Sequence, residues 1–380
     1  MSPSDARSET DPDVARVREV AESDPHAARI REEPSSSPVA ASRTGVLLAQ
    51  LGTPASPSTR DVRRYLREFL SDPLVIDLPA PARWLLVNGV IAPFRAPRSA
   101  HAYRAIWRRE GSPLRVHTDA LGAALRVALG PGFAVEVGMR YGAPSLADAL
   151  DRLTAAGTRR IVVAALYPQH AESSRGTALL AVERWARGGP AAPELAIVPP
   201  FFAEPGFVTA VAAAARPLLA EVRPDHVLMS YHGLPERHVL RADPTQERCL
   251  ARPDCCALPG ATDTCYRAQC FATTSAVAAA LALAPERVST SFQSRLGRAR
   301  WIGPATDDLL VSLAGRGVRR LLVLCPSFVA DCLETLEEIG LRGRARWLTE
   351  LRGAAFAVAP CVNASAPFVE FLAERVRAAA

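Results

Sequence analysis

No apolar run in this sequence of 380 residues approaches the roughly 20 consecutive apolar residues that a bilayer span requires. Lysine is absent, no dense basic block occurs, and no basic stretch is interleaved with aromatics, so nucleic acid is not an expected partner. Aromatic residues are scarce at 6%, and charged residues reach 22%. What is there instead is a globular composition, 49% hydrophobic, whose formal charge of +6 is carried by arginine. Such a charge suits an anionic small ligand or an anionic membrane surface. The expectation is a soluble, cytoplasmic protein.

Residues 1–43 are rich in Ser, Pro, Asp, Glu and Arg and nearly free of large apolar side chains. They could not bury enough surface to offset the entropy of ordering, so a disordered tail is expected. Their acidity and the lack of an apolar segment argue against a signal or transit peptide. The length that remains exceeds one ordinary core, which predicts two domains.

An internal repeat says what those domains are. After a strand ending at Tyr141 the chain reads Gly142-Ala143-Pro144-Ser145, a helix through Leu150 and Leu153, then Gly157-Thr158-Arg159-Arg160 and the strand Ile161–Val163. After an expected strand at Trp301-Ile302 it reads Gly303-Pro304-Ala305-Thr306, a helix through Leu310 and Leu313, then Gly317-Val318-Arg319-Arg320 and the strand Leu321–Val323. Ser145 and Thr306 stand where helix N-caps belong, and Gly157 and Gly317 where C′ residues belong. Two matching β-loop-α-β units predict an α/β fold of two doubly wound parallel-sheet domains, 44–206 and 207–380, related by pseudo-symmetry. The cleft between them is the expected site.

The stretch Val227–Tyr231 reads as a buried parallel strand that Gly233 and Pro235 end. His232 then stands past a strand's carboxyl end, where open α/β folds bind ligands. The strand Leu321–Leu324 leads to a helix carrying Asp331, Glu334, Glu337 and Glu338 before Gly340. The i, i+3, i+7 spacing of Asp331, Glu334 and Glu338 predicts three carboxylates on one face. Like-charge pairs of this kind cost a helix about 0.2–0.5 kcal/mol each, so stability does not ask for them; a solvated acidic face is the alternative. An imidazole facing a carboxylate stripe can bind a divalent metal, move protons, or do both in turn. Metal insertion into a porphyrin needs both, since two pyrrole N–H protons leave as the cation enters.

Two further segments stand out. Trp84–Phe94 is apolar and flanked by Arg83, Arg95 and Arg98, which fits either core or an exposed lip that takes a flat ligand from a membrane surface. Cys249, Cys255, Cys256, Cys265 and Cys270 bring five of the 8 cysteines into one stretch, 249–270, rich in turn residues. Their spacing suits a four-thiolate zinc site or a [2Fe–2S] cluster and does not separate the two.

Gln50–Pro54, Gly111–Leu114, Tyr167–Gln169, Ser230–Pro235, Phe292–Arg295 with Trp301 and Pro304, and Cys325–Phe328 through Glu334–Leu336 together resemble, in order, the ferrochelatase family. The resemblance runs from about residue 45 to the end of the chain and implies a chelatase-like fold of two Rossmann-like halves. It implies insertion of Fe²⁺ into protoporphyrin IX, the last step of haem synthesis. By motif position it implies His232 and Glu334 as the metal-binding and catalytic pair, with Asp331 and Glu338 extending an acidic proton path. It also implies Arg67, Tyr231 and Trp301 at the porphyrin, Arg67 holding a propionate, and Trp84–Phe94 as a mobile lip that could touch a membrane surface. Because some ferrochelatases carry a [2Fe–2S] cluster, the resemblance favours a cluster on four of the five thiols, with Cys270 the spare. Two positions depart from the pattern: Cys332 stands where some members have a second histidine, and Glu172 where animal enzymes have a cluster cysteine. A cobalt chelatase of corrinoid synthesis and a non-catalytic tetrapyrrole carrier are the alternatives.

Overall fold

The computed structural model describes residues 43–188, 193–245, 247–295, 297 and 299–380. The tail expected at 1–43, Arg43 apart, therefore lies outside the described residues. Eight strands form two four-stranded parallel sheets. The first holds β1 (Thr44–Gly52), β2 (Phe133–Tyr141), β3 (Arg160–Ala165) and β4 (Glu194–Ile197) in the order β2-β1-β3-β4. The second holds β5 (His226–His232), β6 (Val288–Gln293), β7 (Arg320–Leu324) and β8 (Ala355–Val358) in the matching order β6-β5-β7-β8.

The helices that matter to the site are, in chain order, α1 (Thr59–Leu70), α2 (Ala92–Ile106), α3 (Pro113–Leu129), α4 (Leu146–Ala155), α5 (Thr177–Arg187), α6 (Pro205–Val222), α7 (Glu236–Ala242), α8 (Tyr266–Ala280), α9 (Thr306–Gly315) and α10 (Ala366–Ala379). A π-helix covers Glu334–Gly343.

The repeat extends to backbone hydrogen bonds. Met139 N donates to Pro144 O at 2.7 Å, and Phe292 N donates to Pro304 O at 2.9 Å. Gly157 and Gly317 follow the two helices with φ of +78° and +87°, a left-handed conformation glycine adopts without a Cβ penalty. Ser145 caps α4 with a reciprocal Asp148 bond. Thr306 does not cap α9: it is the first helical residue, and its hydroxyl lies inward, 2.9 Å from Ser230 Oγ and from Ser291 Oγ. Trp301-Ile302 is no strand of the sheet either. It lies in a loop after β6 that pairs back onto Leu234–Glu236, with Ile302 N on Leu234 O and Glu236 N on Arg300 O. The first repeat has no such loop, because Gly142 follows β2 directly.

Register then aligns the halves residue by residue. Met139 pairs with Gln50 and its counterpart Phe292 with Tyr231, so Leu51 is the first half's counterpart of His232. Gly52-Thr53-Pro54 likewise matches Gly233-Leu234-Pro235.

Strand alternation decides the layers. Leu47 and Ala49 face α4 and α5, while Val46 and Leu48 face inward. In β5, Leu228 packs with Leu310, Leu313 and Trp347, while Val227, Met229 and Tyr231 face inward. Both inner faces join one cluster with Leu121, Leu125, Phe207, Val277, Phe368 and Leu372 from α3, α6, α8 and α10. The two halves are consequently not separate bodies, and residues 43–380 form one compact unit. Helix α10, the end of the expected second domain, packs on α3 of the first half as well as on α6. Phe201, Phe207, Phe368 and Phe371 meet there, with ring centroids 5.2–6.3 Å apart.

A second tie crosses the halves near the site. Asp77, ahead of the lip, accepts from Arg237 at 2.8 and 2.9 Å and from Arg241 at 2.8 Å, both on α7. Burial pushes its carboxyl up, but the bonds from His238 and Arg237 outweigh this and hold it well below the usual carboxylate range.

Because Leu372 is fully buried in the shared layer, Leu372→Ala should cost about 2–5 kcal/mol. Calorimetry should show one transition moving to lower temperature. A shift in only one of two separate transitions would mean that the halves unfold independently.

Candidate active site

His232 ends β5 at the carboxyl edge of the second sheet, as its position in the sequence predicts. Gly233 follows because nothing larger fits: a Cβ there would lie 2.8 Å from Gln293 O and 3.2 Å from Trp301 Cε3. His232 Nδ1 lies 2.6 Å from Gly233 O. A carbonyl only accepts, so Nδ1 carries a proton, and in the neutral imidazole the lone pair is on Nε2. The backbone is held from both sides, His232 N donating to Ser327 Oγ at 3.1 Å and Tyr266 Oη donating to His232 O at 2.8 Å. Phe328 packs edge-on against the imidazole at 6.3 Å.

The acidic segment differs from the expected stripe. The helix begins after Asp331 and is π-wound, so an α-helical i, i+3, i+7 face does not exist here. Asp331 is buried, and its carboxylate accepts from Thr335 Oγ1 at 3.2 Å, Cys361 N at 3.2 Å and Asn363 Nδ2 at 2.8 Å. It anchors the helix start to the loop after β8. Glu337 turns outward to Arg342 at 3.0 Å.

Glu334 and Glu338 remain as an acidic pair, each near enough to influence the other. Glu338 accepts from Ser294 N at 2.9 Å and Ser294 Oγ at 2.5 Å. Burial raises its pKa and the Glu334 charge adds to this, while the Ser294 bonds and His232 oppose it. Ser294 makes both contacts from a left-handed backbone, φ +66°. Across from this pair lies the first half. Helix α2 packs on the π-helix. Arg95 on α2 lies within electrostatic range of both glutamates; burial lowers its pKa and their charges oppose that. Burial chiefly holds the phenols of Tyr65 and Tyr103 well above their usual range, with Tyr103 and then Glu334 adding at Tyr65 and Glu334 adding at Tyr103.

The remaining expected residues divide. Trp301 stands beside the Gly233 turn. Arg67 is exposed on α1 and forms no ion pair among the described residues. Tyr231 is not at the cleft: it is fully buried on the inner face, its hydroxyl 2.9 Å from Thr274 Oγ1, because it alternates with His232 along the strand. In the lip, Trp84, Leu85, Val90 and Phe94 are 53–74% exposed, while Val87 and Ala92 of the same segment are fully buried, so it combines an exposed lip with a core-facing side. Sequence reasoning missed Arg95 and Tyr103 as cleft residues, and gave Gln293, Ser294 and Ser327 no roles of their own, although all three lie in the quoted motifs.

The cysteine segment adjoins the histidine directly, since Tyr266, whose hydroxyl holds His232 O, follows Cys265 at the start of α8. All eight cysteines are free thiols. Cys255 and Cys256 sulfurs are 3.9 Å apart, and Cys265 hydrogen-bonds with both Cys249 and Cys256. Contact with Cys265, then burial, pushes the Cys256 thiol well up, against the pull of Arg267 at 3.2 Å. Cys270 sits apart, fully buried beside Tyr231 and Tyr266. Among the described residues no three His, Cys, Asp or Glu side chains are arranged to hold a metal ion as they stand. An open depression of about 740 Å³ lies at the opposite, amino-terminal edge of the second sheet. Its Arg287 and Arg320 are engaged by Asp225 O and the Asp225 carboxylate, so it is not the site.

A two-sheet α/β fold with an imidazole and a half-buried acid pair beside the carboxyl edge of the second sheet is the arrangement of a metal chelatase. Solved structures agree on the fold: the sirohydrochlorin chelatase SirB from Bacillus subtilis subspecies spizizenii, in complex with cobalt, aligns with a TM-score of 0.51 over 89% of this chain and 95% of that one. At 10% identity this likeness concerns the fold alone. The ferrochelatase family profile matches residues 43–380, and the chain belongs to the ferrochelatase family. It is 43% identical over 336 residues to the ferrochelatase of Coxiella burnetii, covering 88% of this chain and 94% of that protein. It is 48% identical over 320 residues to that of Ectopseudomonas mendocina, covering 84% and 93%, and 47% identical over 337 residues to that of Opitutus terrae, covering 87% and 96%. Nothing in these relatives supports the cobalt chelatase alternative.

Glu338 provides a pH test. Its folded-state pKa lies above the ordinary 4.5, so between the two values the native state binds more protons than the unfolded state and stability falls as pH rises. Glu338→Gln should therefore raise the thermal midpoint at neutral pH, with the gain shrinking to nothing as pH falls below about 4.5. A gain that grew on acidification would contradict the buried, repelled carboxylate.

Proposed function

We propose that this chain inserts Fe²⁺ into protoporphyrin IX to give protohaem and two protons, the last step of haem synthesis. The observation that carries the reading is His232, its Nε2 making no hydrogen bond among the described residues, within electrostatic range of the half-buried Glu338, which is paired with Glu334. Neutral imidazole at Nε2 meets the incoming metal or accepts a pyrrole proton, and Glu334 receives the second charge. Glu338, kept easily protonated by burial and by Glu334, passes protons outward along the π-helix. The acid pair also favours the entry of a hard-to-dehydrate cation. Neutral Tyr65 and Tyr103 offer an uncharged wall to a macrocycle, Trp301 a stacking surface, and Arg67 a partner for a propionate.

The exposed Trp84, Leu85 and Phe94, with Arg83, Arg95 and Arg98 nearby, suit peripheral contact with an anionic membrane surface from which an apolar porphyrin is taken. Among the described residues no helix is long and apolar enough to cross a membrane. We place the protein in the cytoplasm, in contact with that surface.

Cys249, Cys255, Cys256 and Cys265 are the four thiols that would hold a [2Fe–2S] cluster, and Cys270, buried in the inner layer, is the spare. The four sulfurs lie in one segment, and the Arg267 guanidinium at the Cys256 sulfur favours its anion, as thiolate ligation requires. The cluster would brace α8 and through Tyr266 the His232 carbonyl; insertion has no net redox step for it to serve.

An anaerobic assay with Fe²⁺ and either protoporphyrin or coproporphyrin tests the activity and its substrate. His232→Ala should lose at least about 10²-fold in turnover while remaining folded, and Glu334→Gln most of its activity, Glu338→Gln less. Near-normal turnover of His232→Ala would exclude this site. For the thiols, purified protein should be reddish-brown, bleach with dithionite and carry two irons per chain, and Cys265→Ser should lose the colour. One zinc per colourless, active chain would replace the cluster.

A further inference from the structure

We propose that Gln293 is a positioning residue that fixes Glu334 relative to His232 by bridging the histidine's strand pair to the first turn of the π-helix. The proposal rests on the assignment of His232 and Glu334 made above. Gln293 ends β6, faces His232 in the parallel ladder and is 3% exposed. Its Nε2 donates to the backbone carbonyl of Glu334 at 3.1 Å, and its Oε1 accepts the Ser230 hydroxyl at 2.6 Å, with the Cys325 thiol at 3.8 Å. The Glu334 carbonyl fixes which end of the amide faces it, because only the nitrogen can donate. Ser230 Oγ continues to Thr306 Oγ1 at 2.9 Å, and Thr306 to Ser291 Oγ at 2.9 Å. A buried polar chain thus runs from the start of α9 through β5 and β6 to Glu334.

The same residue sets the turn after the histidine, since Gln293 O accepts from Gly233 N at 2.8 Å. Its neighbour Ser294 grips the Glu338 carboxylate. Gln293 and Ser294 together tie both carboxylates of the π-helix to the edge that carries His232, one through its backbone and the other through its side chain. A π-helix is a rare winding that persists where the surroundings favour it, and a donor on its first carbonyl is such a surrounding. Only glutamine among the natural side chains has the reach, the donor and the acceptor at once. Glutamate would set an acceptor against the Glu334 carbonyl, and asparagine falls a methylene short. An apolar side chain would leave the half-buried Glu334 carbonyl and the buried Ser230 hydroxyl without this partner, a costly arrangement away from water.

The test uses Gln293→Met, similar in volume but without donor or acceptor, and Ser230→Ala, which removes only the hydroxyl that orients the amide. For Gln293→Met, kcat for Fe²⁺ insertion should fall about 10²-fold, the scale of a roughly 1 Å misplacement, with KM for porphyrin nearly unchanged. Ser230→Ala should lose about tenfold, and the double variant no more than Gln293→Met alone, because both act through one bond. Amide hydrogen exchange across residues 334–343 should quicken in Gln293→Met. Near-normal kcat in a folded Gln293→Met protein overturns the proposal, as does additive loss in the double variant or a parallel collapse of porphyrin binding. If Gln293→Met does not fold, Ser230→Ala decides: a normal kcat there overturns it. His232→Ala and Glu334→Gln are assayed alongside, and if they stay active it is the site assignment that has failed and the proposal falls with it.

Discussion

The apolar layer built from Val46, Leu48, Met229, Phe207, Phe368 and Leu372 belongs to neither half of the chain alone. Each of these side chains is worth about 1.5–3 kcal/mol when buried, and none could be buried by one sheet without the helices that also cover the other. The layer holds the two sheets as one body, with α2 of the first half packed on the π-helix of the second. Tyr65, Tyr103 and Arg95 consequently meet Glu334 and Glu338 across a fixed distance. A site assembled between independent domains would have no such reference.

Duplication supplied the frame, and departures from symmetry supplied the chemistry. The carboxyl edge of β1 presents Leu51 where that of β5 presents His232. The turn after β2 is immediate, whereas the loop after β6 carries Ser294 and Trp301 to the histidine's side. One repeat therefore offers an apolar and phenolic wall, and the other offers an imidazole and two carboxylates. Drawing the acid pair partly out of water is unfavourable by itself. Two hydrogen bonds from Ser294 and the facing Arg95 offset that cost, and Ser294 keeps a left-handed backbone to do so.

Support for His232 comes from outside its own strand as well. Tyr266 holds its carbonyl from the start of α8, directly after Cys265, and Arg267 joins Cys256 to Gly303 O in the loop that follows Trp301. The thiol segment is mechanically continuous with both residues. Asp77, pinned by Arg237 and Arg241, ties the base of the exposed lip to the same histidine turn.

The α/β class, the paired parallel sheets, the repeat and the position of His232 were all legible in the sequence, because strand periodicity, Gly and Pro punctuation and short motifs are local properties. The ordered motifs sufficed for the family. Local patterns could not show that α10 crosses to the first half, since an amphipathic helix does not name its partner. Nor could spacing show that the acidic segment winds as a π-helix, because that winding depends on donors such as Gln293 from another strand. Spacing equally could not show that the Asp331 carboxylate bonds Asn363 and Cys361, far along the chain. Tyr231 was misplaced because motif proximity to His232 ignores the alternation that turns adjacent strand residues to opposite faces. Composition and periodicity thus determined the elements and which strand end carries His232, while only tertiary packing decided which polar groups face one another there, because their hydrogen-bond partners come from distant segments.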